Sequence, residues 1–144
     1  YQSKGLTVGL GTDGCSSSND LDMWVVMRMA AHMVALKHSP ADVKPHEIVR
    51  AATLDGARAI GIDHLVGSIE VGKRADLIAL DLTALHLNPI HNVAALLVFA
   101  AGRSDVSDVW VDGIRVISAR GCTRVDEADL LRRVSARMSA LAGL

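Results

Sequence analysis

The chain has 144 residues, 50% of them hydrophobic and 22% charged, with a formal net charge of −1 at pH 7. This length fits one domain, and the composition excludes intrinsic disorder, which needs low hydrophobicity and high net charge. The charge offers no attraction to nucleic acid or an anionic membrane surface, and no apolar run approaches the ~20 residues that span a bilayer.

In chain order, Tyr1-Gln2-Ser3-Lys4 has no apolar stretch of the signal-peptide type. The chain then enters an apolar segment at once, the behaviour expected of the later part of a longer protein. Residues 6–12 alternate and end in Gly, Thr and Asp, which predicts a buried strand and a loop. Ser16-Ser17-Ser18-Asn19-Asp20 is a cluster of helix-starting residues. Leu21, Trp24, Val25, Met29, Met33 and Leu36 predict one apolar stripe on a helix from about 20 to 38, stopped by Pro40. Pro45 opens a second helix to about Ala52. Thr53 is the expected N-cap of a third, Leu54 to Ile60, ended by Gly61.

Beyond residue 61 the period changes to two. Gly67 to Val71 and Ala75 to Asp81 read as strands around the turn Gly72-Lys73-Arg74. Asp112-Gly113 between the β-branched runs 106–111 and 114–117 is a strong hairpin signal, because a type I′ turn needs positive φ at both central residues. Leu130, Leu131, Val134, Met138 and Leu141 give the tail an amphipathic helix. Cys15 and Cys122 stand outside any CxxC and read as free thiols, which points to the cytoplasm.

Gly9-Leu10-Gly11-Thr12-Asp13-Gly14 matches GxGxxG spacing, so dinucleotide binding is the first chemistry to weigh. The context opposes it. A phosphate-binding helix must open directly on the glycines, yet the helix-starting residues come later and Asp13 would meet phosphate as a like charge. Asp13 carries the interest instead. It sits just past a predicted buried strand, at the end where α/β folds place their chemistry, between glycines that permit close approach and unusual φ. A carboxylate there can ligate a divalent metal and accept a proton from water; it can equally just cap the following turn.

Gly11-Thr12-Asp13-Gly14, then Ser17, Asn19-Asp20-Leu21-Asp22-Met23, resembles the last barrel strand of the amidohydrolase superfamily. Within that superfamily it is similar to the 5-methylthioadenosine/S-adenosylhomocysteine deaminases and triazine chlorohydrolases, whose stretch reads GTDGxxSNNDLDM. Ser18 stands where the first of the two asparagines would be. Residues 51–59 (AATLDGARA), 67–78 (GSIEVGKRADLI) and 107–113 (SDVWVDG) resemble later family segments, in family order.

The resemblance implies an α/β fold: the last strand and helices of a metal-dependent-hydrolase (β/α)8 barrel plus part of a composite β-sandwich, a fragment of a larger fold. Its parts would be residues 1–60 from the barrel, 61–121 from the sandwich and 122–144 as a C-terminal helix. It implies Asp13 as metal ligand and proton shuttle, and zinc as the usual metal. Ser17 and Asn19 are the candidates for contact with a small heterocyclic substrate. The implied reaction is hydrolytic deamination of an aminopurine nucleoside or similar ring, with triazine dechlorination as the alternative.

A catalytic zinc needs about three protein ligands, and the six histidines supply no HxH or HxxxH pair. His32 and His38 lie on different faces of one helix. The remaining ligands are therefore expected upstream, and this chain alone is expected to be inactive. The competing reading is a non-catalytic split module. Half the residues are hydrophobic before the 12 glycines are counted, where ordinary domains reach ~45–50% with glycine included. That excess predicts association, either as a homo-oligomer or with the missing N-terminal part.

Overall fold

The computed structural model describes residues 5–142, so the opening Tyr1 to Lys4 lies outside the described residues. The elements are α1 (Cys15–Ser18), α2 (Met23–Lys37), α3 (Pro45–Ala52), α4 (Leu54–Ala59), β1 (Leu77–Leu80), α5 (Val93–Phe99), β2 (Val106–Val111), β3 (Ile114–Ser118), β4 (Gly121–Cys122) and α6 (Glu127–Ala142).

The helices begin and end for local reasons. Asp22 caps α2, its carboxylate accepting from Trp24 N–H at 2.8 Å. Pro45 is the first residue of α3. Gly61 follows α4 at φ +77°, the left-handed exit that glycine supplies without a Cβ clash. Asn92 caps α5 by accepting from Ala95 N–H at 2.9 Å. Met27 and Ala31 of α2, Ile48 of α3 and Val98 of α5 form the core, with Leu10, Trp24 and Val49 packed against it. Thus α5 lies within the range 61–121 but packs on α2 and α3.

The sheet is antiparallel in the order β1-β2-β3-β4. Leu77 faces Trp110, and Val111 faces Ile114 across the hairpin. Asp112 and Gly113 take φ +51° and +77° at its tip, as a type I′ turn requires. Asp76 fastens that tip, its Oδ1 accepting from Asp112 N–H at 2.6 Å. No helix among the described residues is long and apolar enough to cross a membrane.

Several expectations are corrected. Residues 6–12 form no strand. Val8, Leu10 and Thr12 are half-buried and the residues between them exposed, as on a strand, but no paired edge lies beside them among the described residues. Residues 67–71 are also not a strand. Gly67 and Gly72 both take φ +93°, and Ile69 and Val71 are exposed. Thr53 holds the expected N-cap position of α4, its C=O accepting from Ala57 N–H at 2.9 Å, but its side chain makes no capping bond, because its hydroxyl donates backward to Val49 C=O at 2.8 Å. The serine cluster does not start α2 either. Ser17 and Ser18 close the separate turn α1 by donating to Gly14 C=O, at 2.9 and 3.3 Å.

The predicted stripe of α2 is the larger correction. The core takes Trp24, Met27 and Ala31, whereas Leu21, Val25, Met29, Met33 and Leu36 are exposed. α2 is therefore apolar on two faces, the pattern of a helix covered on both sides. Periodicity finds such a helix and leaves open which face is inward.

Candidate functional site

Asp13 lies between the alternating segment and α1, and it is exposed. Its φ is +59°, in the left-handed region. L-residues rarely adopt this conformation, but Asp and Asn tolerate it because their short polar side chains bond locally. Here Oδ1 accepts from Gly14 N–H at 2.8 Å, and Thr12 Oγ1 donates to Asp13 C=O at 3.0 Å. No other hydrogen bond reaches the carboxylate among the described residues.

The expected division of labour among the glycines changes. Gly11 has open space around it, and Gly14 is extended at φ −88°. The unusual φ belongs to Asp13 itself. The close approach belongs to Gly9, where a Cβ would stand 2.8 Å from Gly56 Cα. From the other side Gly67, at φ +93°, presses on α4, and a Cβ there would lie 2.9 Å from Leu54 Cα. The Asp13 segment therefore rests on α4 through glycine–glycine contact, and Leu10 N–H donates to Ala51 C=O at 3.0 Å. Gly56 carries the signal that sequence reading missed: a glycine inside a helix costs about 1 kcal/mol against Ala, which close packing explains.

Ser17 faces back to Gly14, as described, and forms no hydrogen bond with Asp13 among the described residues. Asn19 takes φ +58° and its N–H donates to Cys15 C=O at 3.0 Å, ending α1. Its side chain forms no hydrogen bond among the described residues. Cys15 is exposed on α1, and Cys122 is the second free thiol. His32 stands on the exposed face of α2, with its ring 6.5 Å from that of Phe99. His86 pairs with the buried Asp105 at 3.2 Å. Among the described residues, no three His, Cys, Asp or Glu side chains come together as a metal site.

Three carboxylates beyond residue 61 are held below their ordinary range. The Thr83 hydroxyl and N–H, and then Arg120, hold Asp81 down to about 2. Arg115, Ser107 and the Ala119 N–H lower Asp108, and Ser68 followed by Lys73 lowers Glu70. Glu70 is exposed, Asp81 and Asp108 are half-buried, and all three are held by structural contacts.

The amidohydrolase family model matches residues 1–116. A 5-methylthioadenosine/S-adenosylhomocysteine deaminase of Desulforudis audaxviator is 44% identical over 90% of this chain and 30% of its own length. An S-triazine hydrolase of Gordonia rubripertincta is 38% identical over 97% of this chain and 31% of its own. The crystal structure of an adenosine deaminase from Xanthomonas campestris, with bound zinc, superposes with a TM-score of 0.91. That likeness has 40% identity, covering 99% of this chain and 33% of the other. The chain thus spans about a third of the length of these relatives.

Proposed function

Because the chain belongs to the amidohydrolase family, we propose that it is the C-terminal third of a zinc-dependent hydrolase that deaminates an aminopurine nucleoside or a similar heterocycle. The observation that carries this is Asp13, an exposed carboxylate held in the left-handed region at the end of the alternating segment, with one oxygen oriented by Gly14. An ionised carboxylate has about four acceptor positions, so the Gly14 contact leaves capacity for a metal and a proton. The residues present fit a share of a zinc site, one oxygen donor, and the other ligands come from the rest of the protein.

Zinc supplies acidity to water, lowering its pKa from 15.7 toward about 7. Asp13 accepts the proton of the water that attacks the amine-bearing ring carbon. It then returns the proton to the departing nitrogen, so that water is consumed and ammonia released. The left-handed backbone aims the carboxylate, and α1 holds Gly14 behind it. Ser17 and Asn19 remain the candidates for substrate contact.

Residues 1–60 supply barrel elements in this reading, 61–121 part of a composite sandwich and 122–144 a C-terminal helix. The outer face of α2 and the exposed stripe of α6 (Leu130, Val134, Met138) then meet the remainder of the protein or a second copy. Free Cys15 and Cys122 suit a reducing cytoplasm. The similarity to an S-triazine hydrolase supports a second reading, displacement of chloride from a triazine ring by the same water chemistry. Ammonia release from 5-methylthioadenosine by the full-length, zinc-loaded protein is the test. Turnover in the wild type and its loss in Asp13→Asn are expected; unchanged turnover in Asp13→Asn overturns the role of Asp13.

A further inference from the structure

We propose that Arg103 is a positioning residue that clamps the loop behind Asp13, an inference that rests on the role of Asp13 given above. The loop Asn19–Asp22 joins α1 to α2. Its local bonds are short in range: Asn19 N–H to Cys15 C=O, the Ser18 hydroxyl to Asp20 C=O at 2.8 Å, and Trp24 N–H to Asp22 Oδ1. Among the described residues, one side chain reaches it from elsewhere in the chain. Arg103 donates from Nη1 to Asp20 Oδ1 at 2.8 Å, and its Nε lies 3.8 Å from Asp22 Oδ2.

The base of that arm is rigid. Ala101 is fully buried, and its carbonyl accepts from Arg28 Nη2 of α2 at 2.9 Å. Gly102 N–H donates to the buried Asp105 carboxylate at 2.8 Å, and Asp105 N–H closes the turn on Gly102 C=O at 3.0 Å. Asp105 C=O accepts from Asp81 N–H at 2.8 Å, which ties the turn to the end of β1. Arg103 thus projects from a fixed turn onto a loop that is otherwise held only by its neighbours. The path to the reacting group is short: Asp20 adjoins α1, α1 closes on Gly14, and Gly14 N–H orients Asp13 Oδ1. Its guanidinium also offsets the mutual repulsion of Asp20 and Asp22.

Arg103 is exposed, so its replacement leaves the core intact. The pair is worth little to global stability, as exposed ion pairs usually are, and its effect is on loop order. The test compares Arg103→Ala and Arg103→Lys with wild type in the full-length protein, by hydrogen exchange of the amides from Cys15 to Trp24 and by steady-state kinetics. Amide exchange in the loop is expected to rise about fivefold in Arg103→Ala with an unchanged melting temperature, since local opening is separable from global unfolding. With an active wild type, kcat falls about 5- to 10-fold at nearly constant KM, the pattern of a misplaced reacting group. Arg103→Lys recovers part of both. At 1 M salt, where the Debye length is about 3 Å, wild-type loop exchange approaches that of Arg103→Ala. Unchanged loop exchange in Arg103→Ala overturns the clamp whatever the activity, and increased exchange with unchanged kcat overturns its link to Asp13. A wild type with no turnover on any aminopurine nucleoside is instead a failure of the proposed reaction, and the exchange readout still decides the clamp.

Discussion

In the sheet, β2, β3 and β4 follow one another through two short turns, and residues 75–76 fasten the hairpin tip to the start of β1. Residues 6–13 differ. Among the described residues, their only backbone hydrogen bond to the rest of the chain is Leu10 N–H to Ala51 C=O. The strands of the sheet pair with one another, whereas the segment carrying Asp13 leans on glycine contacts; in the proposed reading it gains partners from the rest of the protein. Backbone groups need partners, so the contrast is between strands paired with their chain neighbours and a segment with a single backbone bond to the rest of the chain among the described residues. In the proposed reading Asp13 thereby stands where several elements of a barrel converge.

The sharpest way to break this contrast is at Asp13. Asp13→Asn keeps a residue that tolerates the left-handed conformation and removes the charge, so the fold is retained while kcat falls by about 10²–10⁴, the usual worth of a general acid–base group. Circular dichroism alongside steady-state kinetics separates the two effects. A collapse of the fold would make Asp13 a structural residue.

Next in size are the glycines. Gly113→Ala in the hairpin meets open space and only the left-handed φ, at a cost of about 1–2 kcal/mol. Gly67→Ala carries that penalty and an overlap with Leu54 Cα and Ala57 Cβ, which adds about 1–3 kcal/mol. Urea unfolding of the two variants orders them. Equal losses would mean that the α4 contact is looser than its distances indicate.

The smallest effect is electrostatic and confined to the sheet side. Asp81, held at about 2 by Thr83 and Arg120, gains stability from its charge above its ordinary value of 3.8 and loses it as pH falls through about 2. Asp81→Asn therefore lowers the melting temperature slightly at pH 7, and the difference closes between about pH 4 and pH 2. A difference that persists at pH 2 would point to packing in place of charge.

Legibility in the sequence follows the same division. The Asp112-Gly113 hairpin, the Pro45 helix start and the Gly61 stop were readable because each depends on its own few residues. The strands expected at 6–12 and 67–71 were not recoverable as pairings, because a strand needs an edge and the pattern says nothing of who provides it. α2 is placed within a few residues, yet the sequence leaves its inward face open because both faces are apolar. α5 was hidden in an apolar run of seven residues, too short for its period to declare helix over strand. Asp13 stands out in the sequence by its position and its motif, which make it the candidate. Its left-handed backbone, the Gly9–Gly56 contact and the reach of Arg103 over 83 positions depend on tertiary placement.

The central claim is that Asp13 shares a zinc ion with ligands from outside this chain. Anomalous diffraction at the zinc edge from crystals of the full-length protein tests it directly. The account predicts one zinc with an Asp13 carboxylate oxygen at ~2.0–2.2 Å, and a zinc held wholly by other residues, with the Asp13 carboxylate out of reach, would contradict it.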